Sequence, residues 1–135
     1  MTTGLNHDRI TIALSAGLTG SALAVGPYAL AAAGGALAGL WLSPDLDLPK
    51  CRARRRWRNI GLGWLWWPYD KLLPHRSPWS HWPIVGTAGR LLYLGWPLLG
   101  WGDPVWLIWW PWFAAAAVGL AVADVGHWVA DGCPI

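Results

Sequence analysis

The chain has 135 residues, of which 55% are hydrophobic, 13% aromatic and only 13% charged. That composition excludes a disordered chain, which would be poor in apolar and aromatic residues, and it leaves too little charge to cover an ordinary water-soluble surface. The net charge is +3, and the seven acidic residues are all Asp. The length fits one domain, residues 1–135.

Met1 to Arg9 is polar and carries His7 and Asp8. The uncharged run that follows, Ile10 to Leu42, is too long for the core of a signal peptide. As one helix it would measure about 50 Å, well over the ~30 Å of a bilayer core. Gly26-Pro27 interrupts it, because proline removes a donor and disfavours helix at the preceding residue. The run is therefore either one kinked span or a tight hairpin of Ile10–Val25 and Tyr28–Leu42. Gly17, Gly20, Ala24, Gly34, Gly35 and Gly39 provide small surfaces for close helix approach. The competing reading is a pair of buried, Ala-rich helices in a soluble bundle.

Ser43 to Pro49 is a loop by its two prolines and short polar side chains. Lys50 to Arg58 holds six of the ten basic residues. Beside apolar runs this reads as a face toward anionic lipid headgroups, and without a recognisable nucleic-acid module it does not indicate nucleic acid. Ile60 to Trp67, closed by Pro68, has the aromatic character of an interfacial helix. Pro74 to Pro83 is a loop or a series of capped turns. Ile84 to Trp101 is apolar but contains Arg90, and Val105 to Ala123 is uncharged with a kink expected at Pro111. Gly102-Asp103-Pro104 forms the turn of this second hairpin, and tryptophans 96, 101, 106, 109, 110 and 112 crowd that end like an aromatic belt. Cys51 and Cys133 make no CxxC pair and define no disulfide framework. Gly61-x-Gly63 lacks the strand and the third glycine of a dinucleotide fingerprint.

All four histidines have an Asp or another His nearby in sequence. His7 adjoins Asp8, His75 and His81 lie six apart, and His127 sits between Asp124 and Asp131 on one face of a helix. Asp45 and Asp47 form a separate carboxylate pair. Imidazole with carboxylate suits a divalent metal, zinc first, with iron or manganese as alternatives. Such groups beside apolar helices are costly unless they are paired or hold a cation. With two hairpins, His7, Asp45, Asp47, His81 and Asp124 all emerge at one end. The expected fold is thus an all-α integral membrane helical bundle of two hairpins with a metal site at one end. The basic stretch puts that end on the cytoplasmic side.

Ser-Pro-Asp-Leu-Asp at 43–47, His75-Arg76 with Ser80-His81, and Asp124-x-x-His127-x-x-x-Asp131 resemble motifs of bacterial membrane-bound metal-dependent hydrolases. A closer resemblance is to a group of small metal-binding proteins of unknown function, common in cyanobacteria. It lies at Arg56-Trp57, Trp67-Pro68-Tyr69, His75-Arg76-Ser77-Pro78-x-Ser80-His81 and Gly86-Thr87-x-x-Arg90-x-x-Tyr93. The wider family is similar in ligand pattern to helical zinc-dependent phospholipases and nucleases. The resemblance implies an all-helical fold and a ligand set of His7, Asp45, Asp47, His75, His81, His127 and Asp131, with Asp124 a ligand or a residue supporting one.

Two functions follow as expectations. One is a dinuclear hydrolase of a phosphoester or lipid headgroup, with an aspartate bridging two metals about 3.5–4 Å apart. Asp45 and Asp131 would serve its chemistry, and Arg76 would bind a phosphate oxygen unless it pairs with Asp70. The other is a non-catalytic membrane scaffold or assembly protein with a structural metal, its tryptophans facing lipid or a membrane protein partner.

Overall fold

In a computed structural model of the protein the described residues are 4–75, 77–95 and 105–132, with side chains in the last stretch from 108 onward. They form seven α-helices: α1 (Gly4–Val25), α2 (Tyr28–Ala38), α3 (Arg52–Asn59), α4 (Trp67–Leu72), α5 (Pro78–His81), α6 (Pro83–Gly95) and α7 (Val105–Ala130). Two 3-10 turns, Pro44–Asp47 and Gly63–Trp66, complete the elements. The described residues are thus all-α, as expected.

Gly26-Pro27 makes a hairpin rather than a kink. Gly26 takes φ +100°, a conformation open to glycine, and the chain reverses there. Ser15 Oγ of α1 donates to the Ala33 carbonyl of α2 at 2.8 Å, fastening the two arms. α7 is the central helix, packed on α1, α2 and α6. Its closest neighbour is α2. A Cβ on Gly35 would lie 1.8 Å from the Ala116 carbonyl oxygen, and one on Gly119 would lie 1.8 Å from that of Ala32. This reciprocal small-residue crossing brings the two backbones together with the helices running parallel.

α1 and α6 run antiparallel to α7, so the start of α1, the end of α2, the start of α6 and the end of α7 meet at one end. The 96–104 connection between α6 and α7, including the turn expected at Gly102-Asp103-Pro104, lies outside the described residues. So do Trp96, Trp101, the Trp106 side chain and Cys133. Trp109, Trp110 and Trp112 are exposed at the opposite end of α7, where Trp112 packs on Tyr28.

Over the meeting end sits a cap with an aromatic core of its own, formed by Leu46, Ala53, Trp66 and Tyr69 with Tyr93 of α6 against them. Trp66 meets Tyr69 edge-on at 5.4 Å, and Tyr93 Oη donates to the Leu65 carbonyl at 2.5 Å. The interfacial helix expected over Ile60–Trp67 does not form. Gly61, at φ +79°, breaks the chain after α3. Pro68 lies in the first turn of α4 rather than closing a helix, because a first-turn proline gives up an amide that has no intrahelical partner anyway.

The basic stretch becomes α3, and part of it turns inward. Arg54 is buried, paired with Asp70 at 3.0 Å and bonded to the Trp66 carbonyl at 2.8 Å. Among the described residues one helix, over Ile108–Ala130, is long and apolar enough to cross a membrane. The 11 residues of α2 rise only about 17 Å, roughly half a bilayer core.

Candidate metal centre

Asp45 and Asp47 sit on the 3-10 turn, which Ser43 caps through Oγ to the Asp45 amide at 3.3 Å. With about three residues per turn, side chains two apart diverge. The pair therefore reaches in two directions while Leu46, between them, is fully buried in the cap core. His81 ends the single turn of α5 and is buried. His127 and Asp131 lie four apart near the end of α7. His7, from the second turn of α1, stacks on the His127 ring at 3.8 Å with the planes 17° apart.

These side chains make two clusters capable of coordinating a divalent metal ion. The first is Asp45, His81, His127 and Asp131, with one candidate ligand atom from each, all within 4.8 Å of one another. The second is Asp47, His75 and His81. In the first, His127 Nε2 stands 3.5 Å from Asp45 Oδ1 and 3.5 Å from Asp131 Oδ2. His81 Nε2 stands 3.6 Å from Asp45 Oδ1, and His7 Nε2 reaches Asp131 Oδ1 at 3.2 Å. In the second, His75 Nδ1 is 3.1 Å from Asp47 Oδ1 and His81 Nδ1 is 3.7 Å from Asp47 Oδ2. What the two clusters share is the imidazole of His81, where the sequence suggested an aspartate.

A divalent ion fits the first cluster on two grounds. His81 Nε2 and His127 Nε2 are buried and have no hydrogen-bond partner, a costly state for a polar atom unless something else binds it. Their separations from the carboxylate oxygens exceed a hydrogen bond. They approach the edge of about 3.3 Å expected between ligand atoms bound tetrahedrally at about 2.0–2.1 Å. Burial would push the Asp45 carboxyl up. The imidazoles of His127 and His81 more than offset this and hold it well below the usual carboxylate range.

The orientation of His81 is set by Ser80. Ser80 Oγ donates to the Ser77 carbonyl at 3.2 Å and lies 3.0 Å from His81 Nδ1. The hydroxyl has one proton. With that proton on the Ser77 carbonyl, Oγ accepts from Nδ1–H and Nε2 is the lone-pair nitrogen at the first cluster. In that tautomer the second cluster keeps Asp47 and His75, a weaker donor set.

Asp124 stands outside both clusters. It is nearly fully buried and accepts from Arg90 Nη2 and Thr87 Oγ1. Arg90, itself fully buried, also donates to the Ser80 carbonyl at 3.0 Å. This network ties α6 to α7 and fixes the turn that bears His81. Arg76 lies outside the described residues, and Asp70, its suggested partner, is taken by Arg54. Sequence reasoning missed Ser80 as the partner of His81 and Arg90 as that of Asp124. The second had a signal, since an arginine within an apolar helix needs a buried acid.

A cleft of about 380 Å³ opens beside the first cluster. His7, Asp45 and His127 line it, together with Asp8, Lys50, Arg52 and Arg56. The centre is therefore not sealed within the bundle.

An all-α chain with two His/Asp clusters able to hold a divalent ion is a metal-binding protein by architecture and donor chemistry. The chain belongs to the family described as "Uncharacterized metal-binding protein (DUF2227)", which it matches over residues 2–110. That stretch holds His7, Asp45, Asp47, His75 and His81, while His127 and Asp131 lie beyond it. A protein of Aquifex aeolicus (strain VF5), described as an uncharacterized protein, is 41% identical over 54 residues. The matched stretch is 40% of this chain and 36% of that protein. No solved structure matches the chain.

Proposed function

We propose that this protein is a membrane-embedded, metal-dependent hydrolase of a phosphoester or lipid-headgroup substrate, with its centre at the cytoplasmic end of the bundle. The observation that carries the proposal is the cleft at the first cluster. A structural metal site is closed, whereas a catalytic one keeps a position open, and His7, Asp45 and His127 border open space. His81, His127, Asp45 and Asp131 would hold the ion, zinc first by donor type, with iron or manganese as alternatives. A divalent ion supplies Lewis acidity and lowers the pKa of bound water.

The chain's own groups set up the rest. Ser80 orients His81, Asp45 stands beside its Nε2, and Asp131 draws His7 against the ring of His127. Arg76 is assigned to a phosphate oxygen by its place beside His75. Membrane embedding is supported by the apolar length of α7 and by exposed Leu23, Val25, Ile108, Trp110 and Phe113 toward the end away from the site. Cytoplasmic placement is supported by Arg9, Lys50, Arg52, Arg55, Arg58 and Lys71, all exposed and concentrated in the cap end. The kinship with membrane-bound metal-dependent hydrolases belongs to the same proposal.

The test is hydrolysis of a phosphodiester panel and of phospholipid vesicles by metal-loaded protein. Turnover that chelation abolishes and reloading restores is expected, and turnover that survives chelation overturns the metal-dependent reading. A second reading, a scaffold with a structural metal, is favoured by the exposed tryptophans 64, 67 and 79 on the cap. It gains if metal is stoichiometric and no substrate is turned over.

A further inference from the structure

We propose that the cleft beside the first cluster binds a phosphate group, with Lys50 and Arg52 as its determinants and Arg56 as their support. This deepens the hydrolase reading and rests on it for the substrate's reacting bond. Lys50, Arg52 and Arg56 line the cleft with two acids, Asp8 and Asp45, of which Asp8 is the one that the arginines pair with. Asp8 Oδ2 accepts from Arg52 Nε at 2.7 Å and from Arg56 Nη2 at 2.8 Å. Three cations less two carboxylates leave one positive charge, to which a divalent ion at the first cluster would add two, and that total suits a phosphate.

The three cations differ in what they have left to give. Arg56 spends Nη1 on the Leu40 carbonyl at 2.6 Å, so it is an anchor. Arg52 spends only Nε. Its side chain is 42% exposed, and its two terminal amino groups make no hydrogen bond among the described residues. Asp8 holds the guanidinium plane while leaving that outer edge for two parallel bonds to an oxyanion. Lys50 is exposed and makes no ion pair among the described residues.

The backbone adds to this field. α3 begins at the wall, where Cys51, Arg52 and Ala53 line the cleft, so the positive end of an eight-residue helix lies there. Burial pushes the Cys51 thiol up to about 11, so it brings no negative charge. His7, Asp45 and His127 line the same cleft. A phosphate held there by the cations therefore lies beside the first cluster.

The test is calorimetric titration of the zinc-loaded full-length chain in detergent with inorganic phosphate. The parent is compared with Lys50→Ala/Arg52→Ala and with Arg55→Ala, an exposed arginine of α3 outside the cleft. Charge-assisted hydrogen bonds are the strong ones, so the double variant should bind phosphate at least about tenfold more weakly. Metal content should be unchanged, and Arg55→Ala should behave as the parent. Equal binding by the double variant, or none by the parent, overturns the proposal.

Competition by phosphatidylcholine vesicles with and without phosphatidic acid then separates the sources. Displacement only by the phosphatidic acid vesicles places a lipid headgroup in the cleft, and a lack of displacement places a soluble phosphoester there. Phosphate binding that follows Lys50 and Arg52 in a protein without hydrolytic activity would retain the cleft and remove the hydrolase. Hydrolysis insensitive to both residues would do the reverse.

Discussion

Ser80 Oγ lies 3.0 Å from His81 Nδ1, and His81 Nε2 stands 3.6 Å from Asp45 Oδ1. With the Ser80 proton on the Ser77 carbonyl, the hydroxyl accepts from Nδ1–H and keeps the Nε2 lone pair toward Asp45. Ser80→Ala should lower metal affinity by roughly 10–100-fold, the usual cost of losing a ligand's orienting partner, with the helical content intact. Competition with a chromophoric chelator measures this. Unchanged affinity would mean that the ring is held by packing alone.

Arg90 and Asp124 are fully buried against one another. Removing one partner leaves a buried charge, so Arg90→Met or Asp124→Leu should each destabilise the fold by about 3–5 kcal/mol. The double replacement should recover most of that. Thermal unfolding of metal-free protein in detergent reads the effect, and additive losses in the double variant would contradict the pairing.

The α2–α7 crossing depends on two glycines. Gly35→Ala or Gly119→Ala places a methyl 1.8 Å from a carbonyl oxygen of the facing helix, so the helices must separate. Either should destabilise the protein by about 1–3 kcal/mol. Gly34→Ala, where an added Cβ meets nothing within 4 Å, should be neutral or stabilising. Equal effects at Gly34 and Gly35 would contradict the packing described.

Metal retention should fall as pH drops, because protons compete for the ligand nitrogens. Asp45 is among the last groups those protons reach. Its folded pKa is depressed, so its stabilising contribution is complete above the ordinary carboxylate value of about 3.9 and is lost only as pH falls below it. Asp45→Asn should therefore weaken metal binding through the neutral range, and because a weaker site loses its ion to protons sooner, the midpoint should move to higher pH. A retention profile unchanged by Asp45→Asn would contradict its place among the ligands.

The helices were legible where composition is one-sided. Gly26-Pro27 within an uncharged run marked a break, either a kink or a hairpin, and the i, i+4 spacing of His127 and Asp131 marked a shared face. Convergence of His7, Asp45 and His81 at one end followed from chain reversal alone. What the sequence did not disclose depends on contacts between distant residues. Asp124 shares a helix face with His127, which suggests a common ligand role, yet Arg90 of α6 claims it. The arginines of α3 look alike in sequence, but Arg54 folds inward to Asp70 while Arg52 stays at the cleft. Ile60–Trp67 has the composition of an interfacial helix, but the positive φ of Gly61 breaks it into turns that seat Trp66 in the cap.

The most direct test of the metal centre is elemental analysis of untagged protein purified in detergent without chelators. It is done on the parent and on His81→Ala/His127→Ala, with circular dichroism to establish that the variant is helical. The parent should hold at least one tightly bound divalent ion per chain, absent from the variant. A second, more weakly held ion would belong to Asp47 and His75 and be lost in His75→Ala. A parent that carries no stoichiometric metal even after reloading, or a variant that keeps it, would contradict the assignment of Asp45, His81, His127 and Asp131.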